Sequence, residues 1–477
     1  MHDNAILKMI RQGKLSDIIY SERFFSLIFT IWFLLFPFDA FIFPVSIGFM
    51  TVYPYLFLTV FLFGFLLWRC SLTRLVRYQK YALGIFFLLM FYAVCYLPFV
   101  ANFKSGLMDV RSMILQAFTV GIIFLTFQYL GRKTFVDLIF KLSTLVFTFY
   151  SLIAWLEYYT GIHIAGRHTE KLLHYTIGNI TYAPVFIYDN PNTFLVYLFA
   201  TAFIIFLVKP AILKSLKWSF AILFTLLFFA LIADSRIGKY LSEALIVYSV
   251  VNYLIINKSF LRQFYFRWMT FLIALLLIVI FTHPIFLGPI WKKRDEYLLK
   301  SIVTVRFEAG KPIFSPADSV ATEVGIKKFA EAFNKYNSEN TMSSDIVRQH
   351  LIENGLFLIK QKPLTGVGPG QYAHLSNIGK LPKVTGTVNS PHEMLTELGS
   401  QYGIPMLLLF LLSFLFATIR AWKLSFGQRW KFFQWLMLAV FSFGIGAMPS
   451  AWFVLNGGWL LLAILFVSVE FTSPELT

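Results

Sequence analysis

Long apolar runs alternate with short polar connections along most of the chain. A helix needs about 20 mostly apolar residues to cross the hydrocarbon core of a bilayer. About twelve segments of this chain are long and apolar enough. These predicted spans lie near 24–44, 47–68, 81–100, 112–130, 137–158, 192–208, 218–233, 238–256, 268–288, 404–419, 432–449 and 455–470. The pattern therefore predicts an all-α integral membrane protein.

One polar stretch is far longer than the other connections and divides the chain into three parts. Residues 1–288 hold predicted spans 1–9, with a smaller loop near 159–191, and residues 404–477 hold spans 10–12. The large loop, 289–403, lies between spans 9 and 10 and is expected to be mainly helical. Apolar residues at roughly helical spacing predict a helix over 343–361 inside it, followed by a tight turn of glycines at 366–370.

Composition indicates which solvent the protein faces. The chain is 58% hydrophobic and 14% charged, with a mean hydropathy of +0.70, whereas soluble domains carry about 25% charged residues. Most of the surface therefore has to face lipid. The net charge of +17 comes from short basic clusters between the apolar runs, which indicates membrane topology rather than nucleic-acid binding. Cys70 and Cys95 support neither a disulfide nor a CxxC metal site.

Basic residues occur in alternate connections, and cytoplasmic connections are the ones enriched in Lys and Arg. The enriched set is Lys8, Arg11, Lys14, Arg23, Arg69, Arg74, Arg77, Lys80, Arg132, Lys133, Lys209, Lys214, Lys217, Lys258, Arg262, Arg267, Arg420, Lys423, Arg429 and Lys431. We therefore expect both termini to be cytoplasmic, and the loops 159–191 and 289–403 to lie on the opposite side.

A local motif marks the end of the large loop. Ser390 and Glu393 form a predicted capping box with Pro391 at the first helical position, which places His392 in the first turn of a helix that returns to the membrane. The helix N-terminus favours the neutral imidazole that a general base needs, while the neighbouring Glu393 acts in the opposite direction. The same pattern also fits a histidine that only helps to cap a helix.

Several arginines on the predicted outer side could bind an anion. Arg236, between two spans, could project into a water-filled cavity, or it could pair with Asp234 or anchor the helix at the interface. Arg348 lies on the predicted loop helix, where a solvated face is the alternative. Arg111 and Arg167 add basic character to other outer connections, and a group of arginines would suit a diphosphate.

Two further features bear on the chemistry. Asn192 follows Pro191 at the start of another span, where a helix N-terminus could face an anion, although capping explains it as well. The sequence also contains no GxxxxGK[ST] loop, no HExxH and no D-x-D pair. These absences favour a reaction with no metal or nucleotide cofactor, on a substrate that arrives already activated.

Several motifs together resemble one family. PLTGVGPGQY at 363–372, NSPHEMLTELGSQYGIPMLLLF at 389–410, Asp234-Ser235-Arg236 and Asn190-Pro191-Asn192 are similar to segments of the O-antigen ligase/polymerase superfamily of bacterial envelope enzymes. The layout of about twelve spans, with a large periplasmic loop before the last three, also resembles that family. The motifs cover only about 60 residues, and the layout covers most of the chain.

The resemblance implies an inverting, metal-independent glycosyltransferase with a GT-C-like membrane fold in the bacterial inner membrane. Its donor would be a glycan on undecaprenyl diphosphate, and its acceptor would be a second glycan or lipid A-core. His392 would match the proposed base, and Arg236 and Arg348 would match arginines that bind the diphosphate. Membrane lipids would surround the protein, and a chain-length regulator is a further partner that the resemblance allows.

Two motif patterns bear on the branch of the superfamily. The ligases have His followed by Asn, Ser or Gln, then nine residues, and then GxxG, GxxT or GxxY. This chain has Glu393 and Gly403-Ile404-Pro405-Met406 at those positions. Repeat-unit polymerases have an Arg-x10-Gly motif in an outer loop. Arg167 and Gly178 have that spacing, which is a loose pattern. We therefore expect a polymerase, with a ligase as the alternative.

A flippase or transporter is the alternative from another class. It would predict two similar halves with a pair of broken helices related by symmetry, which this sequence does not show, and it would not predict so long a loop before span 10. A scaffold that uses the loop to bind partners is the remaining alternative.

Overall fold

The structure, a computed structural model, describes most of the spans and part of the large loop. The described residues are 22–36, 45–47, 50–52, 54–160, 191–210, 212, 216–232, 238, 240–246, 248–249, 303–308, 311–316, 344–385, 391, 393–426, 428–445 and 456–473.

Helices form nearly all of the described chain. In order they are α1 (Glu22–Leu35), α2 (Pro54–Arg69), α3 (Arg77–Tyr96), α4 (Phe103–Thr160), α5 (Pro191–Val208), α6 (Leu216–Ile232), α7 (Ser344–Gln361), α8 (Gln371–Asn377), α9 (Met394–Leu424), α10 (Arg429–Ile445) and α11 (Asn456–Ser468). Short 3-10 helices occur at Leu72–Arg74, Leu97–Phe99 and Val469–Thr472. The helical prediction is confirmed for these segments, and α7 coincides with the helix predicted over 343–361.

Two short antiparallel hairpins are an addition to the all-α prediction. Strand β1 (Val45–Ile47) pairs with β2 (Met50–Val52), and β3 (Val303–Glu308) pairs with β4 (Lys311–Pro316) inside the large loop. The signal for β3 is its composition, because Val303-Thr304-Val305 is β-branched at every position. The loop is therefore not purely helical in the part that the structure describes.

Three described helices are long and apolar enough to cross a membrane. They are the segments Arg77–Phe99, Phe103–Tyr158 and Met394–Leu424. Shorter apolar helices cover Tyr55–Arg69, Thr193–Val208, Trp218–Leu231 and Gly457–Thr472. These elements support membrane association, while the count of twelve spans goes beyond them and stays a prediction.

Glycines interrupt the two longest helices. An unbroken helix of the 58 residues of α4 would be about 87 Å long, far beyond the hydrocarbon thickness of about 30 Å. Gly131, with φ 71° and ψ 167°, breaks α4 between the predicted spans 112–130 and 137–158. Gly403, with φ 84° and ψ 167°, breaks α9 just before the predicted span 404–419. Both span boundaries read from the sequence thus coincide with a backbone break.

The core is built around α4, α5 and α11. Helix α4 contacts α2, α3, α5 and α11, and α5 and α11 also contact each other. In α5 every residue from Phe194 to Val208 is buried, and so is every residue of α11 from Trp459 to Val467. Helices that are apolar all round are central ones. The other helices expose large apolar side chains, including Phe57, Phe91, Leu415 and Val440, and so does the second half of α4 at Leu152, as expected where lipid is the solvent.

Basic connections meet around one cavity of about 840 Å³. It lies where the break in α4, the end of α5, the start of α10 and the segment after α11 come together. We call it the basic cavity; its charged lining residues are Arg132, Lys133, Asp137, Lys209 and Lys431.

Candidate functional site

The glycine turn between α7 and α8 packs against the break in α9. The Val367 amide donates a hydrogen bond to the Ser400 carbonyl (2.9 Å), and the Gly368 amide donates to the Gln401 carbonyl (2.9 Å). In return the Ile404 amide donates to the Pro363 carbonyl (2.8 Å). The last carbonyls of a helix have no partner within it, so the turn satisfies backbone groups that the break in α9 leaves open.

Glycine is required on both sides of this contact. Gly366 has φ +66°, and a Cβ there would lie only 2.6 Å from the Tyr402 nitrogen. Gly403 has φ +84°, and a Cβ there would lie 2.5 Å from the Leu364 oxygen. Positive φ favours glycine, and the approach of the two backbones leaves no room for a side chain. The glycines at 366–370, predicted to form a turn, therefore also serve a long-range contact.

A buried carboxylate ties the contact to α4. Asp109 Oδ2 accepts hydrogen bonds from the Tyr402 hydroxyl (2.7 Å) and from the Gly370 amide (3.1 Å). Tyr402 has no exposed surface, and Asp109 is 9% exposed. We call the turn 363–370, the segment 400–404 and Asp109 together the glycine-turn junction. Sequence reasoning missed Asp109, whose only signal was an acidic residue close to the predicted span 112–130.

Helix α8 is fixed to the start of α4 beside this junction. The Asn102 amide donates to Gln371 Oε1 (3.0 Å), and Gln371 Nε2 donates to the Asn102 carbonyl (3.2 Å). Asn102 Oδ1 accepts from the Ser105 amide (3.0 Å) and so caps α4. The Tyr372 hydroxyl donates to the Leu351 carbonyl of α7 (2.7 Å), and burial raises the pKa of Tyr372. The large loop is therefore attached to the helical bundle at several points.

Helices α7 and α9 run parallel where they touch. A Cβ on Gly355 would collide with the Thr396 side chain, and a Cβ on Gly399 would lie 2.9 Å from Ile359 Cδ1. From the first contact to the second, the residue numbers rise in both helices, from Gly355 to Ile359 in α7 and from Thr396 to Gly399 in α9. Arg348 precedes Gly355 by two helical turns, so it shares the face that packs against α9. Because α9 begins close to Thr396, Arg348 lies at the level of the chain that leads into α9.

A buried asparagine holds that incoming chain against α7. Asn354 Nδ2 donates to the Lys383 carbonyl (2.9 Å), and the Lys383 amide donates to Asn354 Oδ1 (2.9 Å). His350 Nδ1 lies 2.9 Å from the Val384 carbonyl. A hydrogen bond from Gln349, together with nearby Lys383, lowers the pKa of Glu353. Sequence reasoning missed Asn354, although a polar residue on the same face as Leu351 and Leu358 was the available signal.

The start of α9 differs from the predicted capping box. The helix begins at Met394, with Glu393 as its N-cap, so the predicted cap at Ser390 and first turn at Pro391 were wrong. Glu393 Oε1 accepts from the Leu395 amide (2.9 Å), and Oε2 accepts from the Thr396 amide (2.6 Å). With extended backbone (φ −152°, ψ 122°), its long side chain folds back onto the first turn. The carboxylate therefore serves as a structural cap.

The predicted site residues divide into two groups. His392, Arg236 and Arg167 lie outside the described residues, and Asn192 is described only as backbone in the first turn of α5. Arg348 and Glu393 belong to the α7–α9 pair, and Arg111 is half-buried on α4, two positions after Asp109. Arg348 thus lies on the face of α7 that packs against α9, and its convergence with His392 and Arg236 stays a prediction.

Among the described residues, no group of three or more His, Cys, Asp or Glu side chains could hold a metal ion. No family model matches the chain, and no curated protein shows a significant match to it. Its function therefore has to be argued from its own residues.

Proposed function

We propose that this protein is an inverting, metal-independent membrane glycosyltransferase that uses a glycan on undecaprenyl diphosphate as donor. In this proposal it polymerises repeat units of O-antigen or a related polysaccharide at the periplasmic face of a bacterial inner membrane. The observation that carries the proposal is the parallel contact of α7 with α9, which sets Arg348 level with the chain entering α9. His392 occupies the position just before the Glu393 cap in that chain.

The proposed residues have distinct tasks in the reaction. His392 takes the proton from the acceptor hydroxyl, whose oxygen then attacks the anomeric carbon of the donor. A carbon–oxygen bond forms on one face of the sugar while the bond to the diphosphate breaks on the other, which inverts the configuration. The diphosphate leaves as a stable anion that Arg348 and Arg236 stabilise. Because this leaving group needs no proton, the arginines replace a general acid.

The arrangement of the connections supports the proposed sidedness. Asn102 and Asp109, from one predicted outer connection, meet residues 365–374 and 400–403 of the predicted outer loop. Arg132, Lys209 and Lys431, from three predicted cytoplasmic connections, line one cavity. Among the described residues, the predicted outer connections contact each other, and the predicted cytoplasmic connections contact each other, as the positive-inside distribution requires.

Two sequence positions favour the polymerase over the ligase. The residue after His392 is Glu393, whose carboxylate oxygens both accept hydrogen bonds as a helix cap. The ligase pattern has Asn, Ser or Gln at this position. The segment after Gly403 also departs from that pattern with Ile404-Pro405-Met406.

Replacement of His392 with Ala tests the proposal, read out as envelope glycan separated on a gel. We expect glycan chains that stop at one repeat unit attached to the core. Unchanged long chains would refute the enzymatic proposal. Accumulation of full-length polymer on the lipid carrier, without transfer to the core, would instead identify the ligase.

Arg348→Lys tests the diphosphate contact separately. Lysine keeps the charge but loses the bidentate fork, so we expect polymerisation to fall by about tenfold, equivalent to one lost hydrogen bond to a charged group. Gln349→Ala is the matched control, because Gln349 is exposed and bonds to Glu353 on the same helix. An equal loss in both variants would mean that α7 as a whole, rather than the guanidinium, had been disturbed.

A further inference from the structure

We propose that the basic cavity binds the phosphate-bearing head group of an anionic membrane lipid. This inference does not depend on the proposed glycosyltransferase activity, because it concerns the opposite end of the helical bundle from the glycine-turn junction by the predicted topology. It rests on the charge of the cavity, a buried guanidinium nitrogen and the size and apolar character of the walls.

Charge is the first observation. Arg132, Lys133, Lys209 and Lys431 line the cavity, and Asp137 is the one carboxylate among its lining residues. Glu470, which lies close by, pairs with Arg420 at 3.3 Å and also interacts electrostatically with Arg132. The cavity therefore concentrates positive charge from three connections, and basic pockets between membrane helices bind lipid head groups.

The second observation is an unsatisfied donor on Arg132. Its Nη2 donates to the Phe471 carbonyl (3.3 Å), while its Nη1 is buried and has no acceptor in the part of the chain that the structure describes. Buried polar atoms are almost always hydrogen-bonded, so this guanidinium still has an unused donor at the cavity wall. A phosphate matches the planar guanidinium once the side chain turns Nη1 toward it.

The apolar lining and the size of the cavity favour a lipid over a free phosphate. Val136, Leu207, Trp435, Leu438 and Phe471 give the cavity an apolar interior. Lys209 Nζ stands 4.4 Å above the Phe140 ring, a cation–π contact that fixes the charge beside this interior. A volume of about 840 Å³ is far more than a single phosphate fills, since one water occupies about 30 Å³. The head group and the first part of its acyl chains fit this combination.

Lipid binding to the full-length protein tests the proposal directly. The protein is placed in nanodiscs of phosphatidylcholine with increasing phosphatidylglycerol, and native mass spectrometry after mild release counts the retained lipids. We expect one phosphatidylglycerol to remain preferentially bound. Each removed cation should weaken retention about fivefold, so Lys209→Gln should lose about fivefold and the double variant Arg132→Gln/Lys209→Gln about 25-fold.

Lys423→Gln is the matched control. Lys423 is exposed in the last turn of α9, on the same predicted side, and does not line the cavity. Retention should be unchanged in this variant. An equal loss in Lys423→Gln and Lys209→Gln would overturn the proposal, because it would reveal general attraction to the surface. Equal retention of phosphatidylglycerol and phosphatidylcholine would overturn it as well.

A competition arm separates lipid from free phosphate. Inorganic phosphate at millimolar concentration should leave phosphatidylglycerol bound, because it cannot replace the acyl chains in the apolar interior. Displacement of the lipid by phosphate alone would overturn the lipid assignment. If Arg132→Gln fails to fold after losing its bond to Phe471, the single variant Lys209→Gln still decides the outcome.

Discussion

The glycine-turn junction and the basic cavity both form at helix ends, but the junction is filled by backbone hydrogen bonds whereas the cavity is open. Both lie where long helices break or end, and helix ends leave backbone groups without partners. In the junction, the turn 363–370 supplies hydrogen bonds to the end of the first half of α9, and glycines let the two backbones touch. In the cavity, side chains from several connections surround open space, and Arg132 Nη1 remains without an acceptor among the described residues.

This difference suits the junction to structural support of the large loop and the cavity to the binding of a ligand. A contact made of backbone hydrogen bonds and glycines has no freedom to adjust, so it can fix the position of the large loop relative to α4 and α9. A cavity lined by long cationic side chains can adjust to a ligand. Substitutions in the junction should therefore change stability, whereas substitutions in the cavity should change ligand binding.

Gly366→Ala should have the largest effect on stability. The new Cβ would overlap the Gln401 backbone at a positive φ, so strain and overlap add to a loss of about 4 kcal/mol or more in the free energy of unfolding. Gly379→Ala is the matched control, since Gly379 has φ +67° with nothing within 4 Å. It should cost only about 1–2 kcal/mol. Thermal unfolding of the purified proteins in detergent compares them, and equal losses would show that overlap at the junction is unimportant.

Asp109→Ala should come next. It removes the carboxylate acceptor of the buried Tyr402 hydroxyl and one of the two acceptors of the Gly370 amide, which also donates to Gln401 Oε1, at a cost of about 2 kcal/mol. Tyr402→Phe removes one donor and should cost about 1 kcal/mol. The double variant should lose less than the sum of the two single losses, because Asp109→Ala already removes the carboxylate that the Tyr402 hydroxyl donates to. Strictly additive losses in this double-mutant cycle would contradict the direct contact.

Lys209→Gln should have the smallest effect on stability. Lys209 is exposed, and its cation–π contact with Phe140 contributes about 0.5 kcal/mol at such a site. In detergent without added lipid, its unfolding temperature should match that of the natural protein closely. Added phosphatidylglycerol should then raise the unfolding temperature of the natural protein more than that of the variant. A large loss without lipid would place Lys209 in the folded core and end the contrast between the two regions.

The apolar pattern by itself determined that the described spans are helical, and it located several of their limits. Two starts differ: the predicted span 47–68 begins in the β1–β2 hairpin and α2 only at Pro54, whereas α4 begins at Phe103, before the predicted span 112–130. Residues 192–208 and 432–449 were read as spans, and α5 and α10 occupy Pro191–Val208 and Arg429–Ile445. Hydropathy works well here because a helix in lipid must satisfy its own backbone groups, so the decision is made locally. The same local logic gave α7 and the glycine turn after it.

Local rules failed at the start of α9. Ser390, Pro391 and Glu393 fit a capping box, yet Glu393 is the N-cap and Met394 the first helical residue. A cap at Ser390 would accept from the amides two or three positions further on, whereas Glu393 caps the amides of Leu395 and Thr396. The propensity of short motifs does not decide between two caps three positions apart. The direction of the chain held at Lys383 by Asn354 is information that no local motif contains.

What the sequence determined, then, was the helical class of the described spans, several of their limits and the basic connections. What only the tertiary structure decided was which distant residues meet: Asp109 with Tyr402, Asn354 with Lys383, and Arg132 with Lys209 around one cavity. The physical reason is that helix formation depends on neighbours along the chain. Buried hydrogen bonds and shared charges depend instead on packing between helices, and the residues they join can be 29 or 293 positions apart in the sequence.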